Sequence, residues 1–116
     1  AARAAVAQAQ AALEALHVND NFRYWDDDMI PGSVHTLEWL ELFYWLDRIG
    51  YDGWLSLDVH AFRENDKIGV ARESVEWIRA LEAAAGRLNK AEVSRILEAQ
   101  DAVASTGLLR KALFNL

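Results

Sequence analysis

From position 53 to 60 the chain reads Gly-Trp-Leu-Ser-Leu-Asp-Val-His. Leu55, Leu57 and Val59 alternate with Trp54, Ser56, Asp58 and His60, the period-two signature of a strand with one aliphatic and one polar face. A shorter apolar run, Ala15-Leu16-His17-Val18-Asn19-Asp20, predicts a second, earlier strand. Elsewhere the periodicity is helical. Residues 1 to about 15 are Ala-rich and composed of strong helix formers. Residues 34–49 place Leu40, Phe43 and Leu46 at i, i+3 spacing, with Ser33 as the expected N-cap and Gly50 at the C-terminal stop. Trp39, Leu42, Tyr44 and Trp45 make this segment apolar nearly all round, which calls for cover on more than one side.

Residues 70–85 predict another helix, with Val75, Ile78 and Leu81 inward and Gly86 as its stop. Asn89 with Glu92 forms a capping pair that opens a further helix, with Val93, Ile96 and Leu97 on one side and Gly107 near its end; residues 108–116 form a short amphipathic tail. The order helix, strand, helix, strand, helix, helix predicts βα units in a parallel sheet. Two parallel strands leave open edges and an uncovered face, so the chain reads as the last part of something larger.

Composition narrows the functional classes. The 116 residues are 53% hydrophobic and 26% charged, a globular balance. A net charge of −6 without a Lys/Arg cluster argues against nucleic acid or an anionic membrane as partner. No apolar run reaches the roughly 20 residues of a membrane-spanning helix. Cysteine is absent, which removes thiol chemistry and is compatible with a cytoplasmic setting.

Chemistry concentrates in two places. Residues 17–33, HVNDNFRYWDDDMIPGS, hold four aspartates, two asparagines and a histidine. Asp58 and His60 end the second strand. In parallel α/β sheets, active sites sit at the C-terminal ends of strands, where both clusters fall. In an extended loop Asp26 and Asp28 point the same way and Asp27 points outward, so the pair can grip one hard divalent cation such as Mg²⁺ or Mn²⁺. Asp58, at the end of an apolar strand, calls for a positive partner if buried. His35, at a helix start, reads as a surface or capping histidine. A solvated acidic loop is the competing reading of the Asp26–Asp28 run.

Taken together, the stretches HVNDN, WDDDMIPGS and ELFYWLDRIGYDGWLSLDVHAFREN resemble the C-terminal part of the xylose isomerase-like TIM barrels, a superfamily of sugar isomerases and epimerases. The resemblance covers about residues 16–85, leaving 89–116 as a helical extension of the same single segment. It implies the closing βα units of an incomplete (β/α)₈ barrel. It also implies a Mn²⁺ or Mg²⁺ site to which Asp20, Asp26, Asp28 and Asp58 contribute, with Asn19, His60 and Arg63 supporting them. His17 is implied as catalytic, and Trp25 and Trp54 as walls for a sugar or sugar phosphate. Where the family's strand has His-x-Asp, this chain has Asn19, with Asp20 one place later. The implied reaction is aldose–ketose isomerisation, with epimerisation on the same scaffold as the alternative. A barrel of this type needs about 250 residues. The expectation is therefore a part-site, inactive alone, that needs the missing strands or a partner subunit. A non-catalytic helical interaction module is the reading from another class.

Overall fold

The structure, a computed structural model, describes residues 3–4, 14–60 and 66–116. Its elements run in the order β1 (Ala15–Val18), α1 (Thr36–Arg48), β2 (Trp54–Leu57), α2 (Lys67–Gly86), α3 (Lys90–Ala99) and α4 (Ala102–Phe114). The helix expected over residues 1–15 falls mostly outside the described residues; Arg3 and Ala4 are helical.

β1 and β2 pair in parallel, with Leu16 beside Leu55 and His17 beside Ser56. Alternation does what the pattern requires: Leu16 and Leu55 pack against the core, while Trp54 and Ser56 are exposed. β2 is shorter than its alternating pattern. Pairing stops at Leu57, so Asp58 and His60 lie just past the strand, where Asp58 still donates its N–H to the Val18 carbonyl at 3.1 Å.

The core is built by helices. Leu40, Phe43, Tyr44 and Leu46 of α1 meet Leu81, Ala84 and Ala85 of α2, joined by Leu88 and by Ala112 of α4. Alanines at 84 and 85 let α1 approach α2 closely, and the all-round apolarity of α1 is explained by cover from several elements. Burying side chains of the size of Leu40 or Leu81 contributes about 1.5–3 kcal/mol each. Arg87 fastens the far end: its Nε and Nη2 donate to the Ala112 carbonyl at 2.8 and 2.6 Å.

This architecture corrects the barrel expectation. Among the described residues there is one two-stranded parallel sheet with four helices, and no series of barrel units. Each strand has four residues, and the face carrying His17, Ser56 and Trp54 is exposed rather than packed into a barrel interior. The chain buries its apolar surface chiefly by helix-on-helix packing.

Helix boundaries also differ in detail. Residues 90–107 do not form one helix. Gln100 turns left-handed (φ 50°), and Asp101 caps a new helix by accepting from the Ala104 N–H, so Gly107 is interior to α4 rather than terminal. α2 begins three residues before the expected start, capped by Asp66. Asn89 caps α3 as expected, through the Glu92 N–H. No described helix is long and apolar enough to cross a membrane.

Candidate carboxylate site at the strand ends

The segment after β1 leaves the sheet, returns, and is stapled where it returns. Asp20 and Met29 exchange both backbone hydrogen bonds, at 2.9 and 2.8 Å, as an isolated antiparallel bridge. Residues 21–28 form the loop between them. Two of its residues, Arg23 (φ 96°) and Asp28 (φ 48°), take the left-handed conformation, which costs a non-glycine residue on the order of 1–2 kcal/mol. Such strain persists only where surrounding contacts over-determine the backbone.

At Asp28 those contacts are visible. The Asn19 side-chain amide, one residue past β1, donates to Asp28 Oδ1 at 2.8 Å and to the Asp58 carbonyl at 3.0 Å. The His60 N–H donates to the Asp28 carbonyl at 3.1 Å. His60 Nε2 stands 3.8 Å from Asp28 Oδ2 and 4.0 Å from Asp58 Oδ1. Burial, then the hydrogen-bonding carboxyl of Asp26, then its charge push the Asp28 carboxyl above its ordinary value; Asp58 adds to this and His60 opposes it. Asp28, His60 and Ser33 line one cavity of about 210 Å³ with Ile30 and Val70.

Of the three carboxylates expected to converge, Asp26 and Asp58 therefore both act on Asp28, from the loop and from the end of β2. Among the described residues, no three His, Cys, Asp or Glu side chains are arranged to hold a metal ion. Carboxylate oxygens are the donor type a hard cation takes, and the Asn19 amide and the His60 N–H hold Asp28 in place.

Other expected residues go elsewhere. Asp20 is turned away from this group and buried, with 2% of its surface exposed. Oδ2 accepts from the N–H groups of Gly32, Val34 and His35 at 3.1, 3.0 and 2.9 Å. Oδ1 accepts from the Asn21 N–H at 2.9 Å and meets His35 Nδ1 at 2.6 Å. Burial opposes the charge, but the His35 side chain and the backbone N–H groups outweigh it and hold the carboxyl below its ordinary value. Ser33 is not the N-cap of α1: its hydroxyl donates to the Ile30 carbonyl, and among the described residues no side chain caps the helix start. His35 is the N-cap residue of α1 and its side chain makes no cap bond to the helix.

Asp27 is buried and accepts from the Phe22 N–H at 2.9 Å, while Asp26 is exposed, which reverses the outward direction expected of Asp27. The Asp58 side chain is 52% exposed, so burial does not oblige it to have a positive partner. His17 lies on the exposed sheet face, two residues before Asn19. Trp25 and Trp54 are each 78% exposed. Trp25 adjoins Asp26, but Trp54 starts β2, roughly 13 Å of strand rise from Asp58. Arg63 lies outside the described residues.

The residue that pattern reading undervalued is His35. Fifteen positions separate it from Asp20, and no local spacing signals the pair. Compared with known proteins, the chain matches no family model and no curated protein.

Proposed function

We propose that this chain carries part of a divalent-cation site serving a metal-dependent sugar isomerase reaction, and that it is inactive without residues from outside the chain. The observation that carries this reading is that the carboxylates of Asp28, from the loop after β1, and of Asp58, from the end of β2, stand 3.8 and 4.0 Å from the same atom, His60 Nε2, with Asp26 acting on Asp28. Gathering like charge is costly unless a positive group is to be accommodated. The motif resemblance to the xylose isomerase-like enzymes supports the choice of reaction. With the barrel set aside, that support rests on residues and not on architecture.

In this reading Asp26, Asp28 and Asp58 would each contribute to a Mn²⁺ or Mg²⁺ site that groups from outside the chain complete. When bound, the cation supplies Lewis-acid polarisation of adjacent sugar oxygens. Asn19 orients Asp28. His60 Nε2 stands between Asp28 and Asp58, 3.8 and 4.0 Å from their carboxylate oxygens. Asp20 is left out of the ligand set because its oxygens already serve five donors. Epimerisation would use the same residues.

Exposed Tyr24, Trp25 and Trp54 favour a second reading, a non-catalytic module that docks through aromatics. Calorimetry with Mn²⁺ on the chain and on Asp58→Ala separates the two. A saturable Mn²⁺ heat that Asp58→Ala removes supports the cation site; no heat in either favours the docking module.

A further inference from the structure

Asp20 carries more hydrogen bonds than a carboxylate needs for its own sake. A carboxylate offers about four lone-pair sites, and Asp20 receives four backbone N–H groups and the His35 ring nitrogen. Its own backbone closes the 21–28 loop on Met29. Asn19 and Asp28, the hydrogen-bonded pair at the candidate site, each adjoin this bridge. One carboxylate thus ties together the end of β1, the start of α1 and the return of the loop. Asp28 is held left-handed one residue from that tie, in a conformation it would not keep without support.

We infer that Asp20, through its pair with His35, is a positioning residue that holds the Asp28 carboxylate against Asn19, and not a ligand in its own right. For its functional meaning this rests on the cation site proposed above; the geometric claim does not. The chain of action runs from His35 Nδ1 to the Asp20 carboxylate. From there the Asp20 backbone passes it to Met29, and so to Asp28 and Asn19. Arg23 and Glu38 are the other charged groups that act on His35.

Asp20→Asn turns an amide donor toward backbone N–H groups and risks misfolding, so the His35 variants carry the test. In His35→Asn the Nδ2 atom sits as many bonds from Cα as Nδ1 does in histidine and can still donate to Asp20; His35→Ala cannot. Both are made in the full chain, and thermal midpoints establish that each is folded. The ¹⁵N–¹H resonances of the Asn19 side-chain amide report its bond to Asp28, and Mn²⁺ calorimetry reports the site. His35→Ala is expected to move the Asn19 amide toward a solvent-exposed position. It is also expected to weaken Mn²⁺ binding about 10- to 100-fold, the usual effect of removing a ligand's support. His35→Asn restores both. An Asn19 amide unmoved in folded His35→Ala overturns the inference, leaving the pair a local strut. Loss of Mn²⁺ in folded Asp20→Asn, with His35→Ala unaffected, overturns it in favour of Asp20 as a ligand. If the unmodified chain binds no Mn²⁺, the cation reading fails, and the Asn19 amide alone decides whether Asp20 positions Asp28.

Discussion

Asn19 and Asp28 are joined by a 2.8 Å hydrogen bond from amide to carboxylate, across the mouth of the loop that separates them. The bond fixes a negatively charged side chain beside two others. Asn19→Ala is expected to cost about 1 kcal/mol, the net worth of one such bond. Asn19→Asp sets a further carboxylate against Asp28. It is expected to lower the thermal midpoint more than Asn19→Ala does without divalent cation, and less with Mn²⁺ present. Melting curves of both variants, with and without Mn²⁺, check this.

Asp28 itself costs the fold stability. Its carboxyl lies above the ordinary value of 3.8, so the folded state holds that proton more tightly than the unfolded state does. The cost is absent below pH 3.8 and fully present above the raised folded value. Asp28→Asn keeps an oxygen for Asn19, and asparagine tolerates the left-handed backbone. The expected result is a higher midpoint at pH 7, no gain at pH 3, and no protection by Mn²⁺. Equal stabilisation at both pH values would mean that charge is not the cause.

The Asp20–His35 pair makes stability depend on pH in a defined window. The His35 ring is raised above 6.5, chiefly by the Asp20 hydrogen bond, so its contribution is complete below pH 6.5 and is lost as pH rises through the raised value. Asp20 is lowered from 3.8, so its contribution is complete above pH 3.8 and is lost as pH falls through the lowered value. The pair therefore stabilises most between pH 3.8 and 6.5. Denaturation across pH 4–9 is expected to show an alkaline decline that His35→Asn flattens.

Gly32 is fixed by two demands. Its φ is +87°, and a Cβ there would lie 2.6 Å from Leu81 Cδ1 in the core. Its N–H also serves Asp20. Gly32→Ala combines left-handed strain with overpacking and is expected to cost roughly 2–4 kcal/mol. Urea denaturation measures it; a loss below 1 kcal/mol would mean that the turn relaxes freely.

Much of the secondary structure was legible because its signals are local. The Leu55–Leu57 alternation, the Leu40–Phe43–Leu46 stripe and the Asn89 cap each lie within a few residues. The break at Gln100–Asp101 was harder to read, since Gly107 is the more conspicuous punctuation. Yet a single glycine costs a helix only about 1 kcal/mol, while Asp101 supplies a complete cap. The acidic loop was legible as a concentration of charge but not as a division of labour. Asp20, Asp27 and Asp28 are one residue type with three fates: Asp20 takes the backbone N–H groups of Asn21, Gly32, Val34 and His35, Asp27 that of Phe22, and Asp28 the side-chain amide of Asn19. The barrel expectation failed for a similar reason: motifs at strand ends do not state how many strands stand beside them.

Mn²⁺ is paramagnetic, and adding it in substoichiometric amounts to ¹⁵N-labelled chain tests most directly whether the strand-end carboxylates share one focus. Selective broadening of the Asp26, Asp28, Asp58 and His60 amides, abolished by Asp58→Ala, is the predicted result. Broadening spread evenly over the acidic surface, or centred on helix residues such as Glu73 and Glu76, would contradict it.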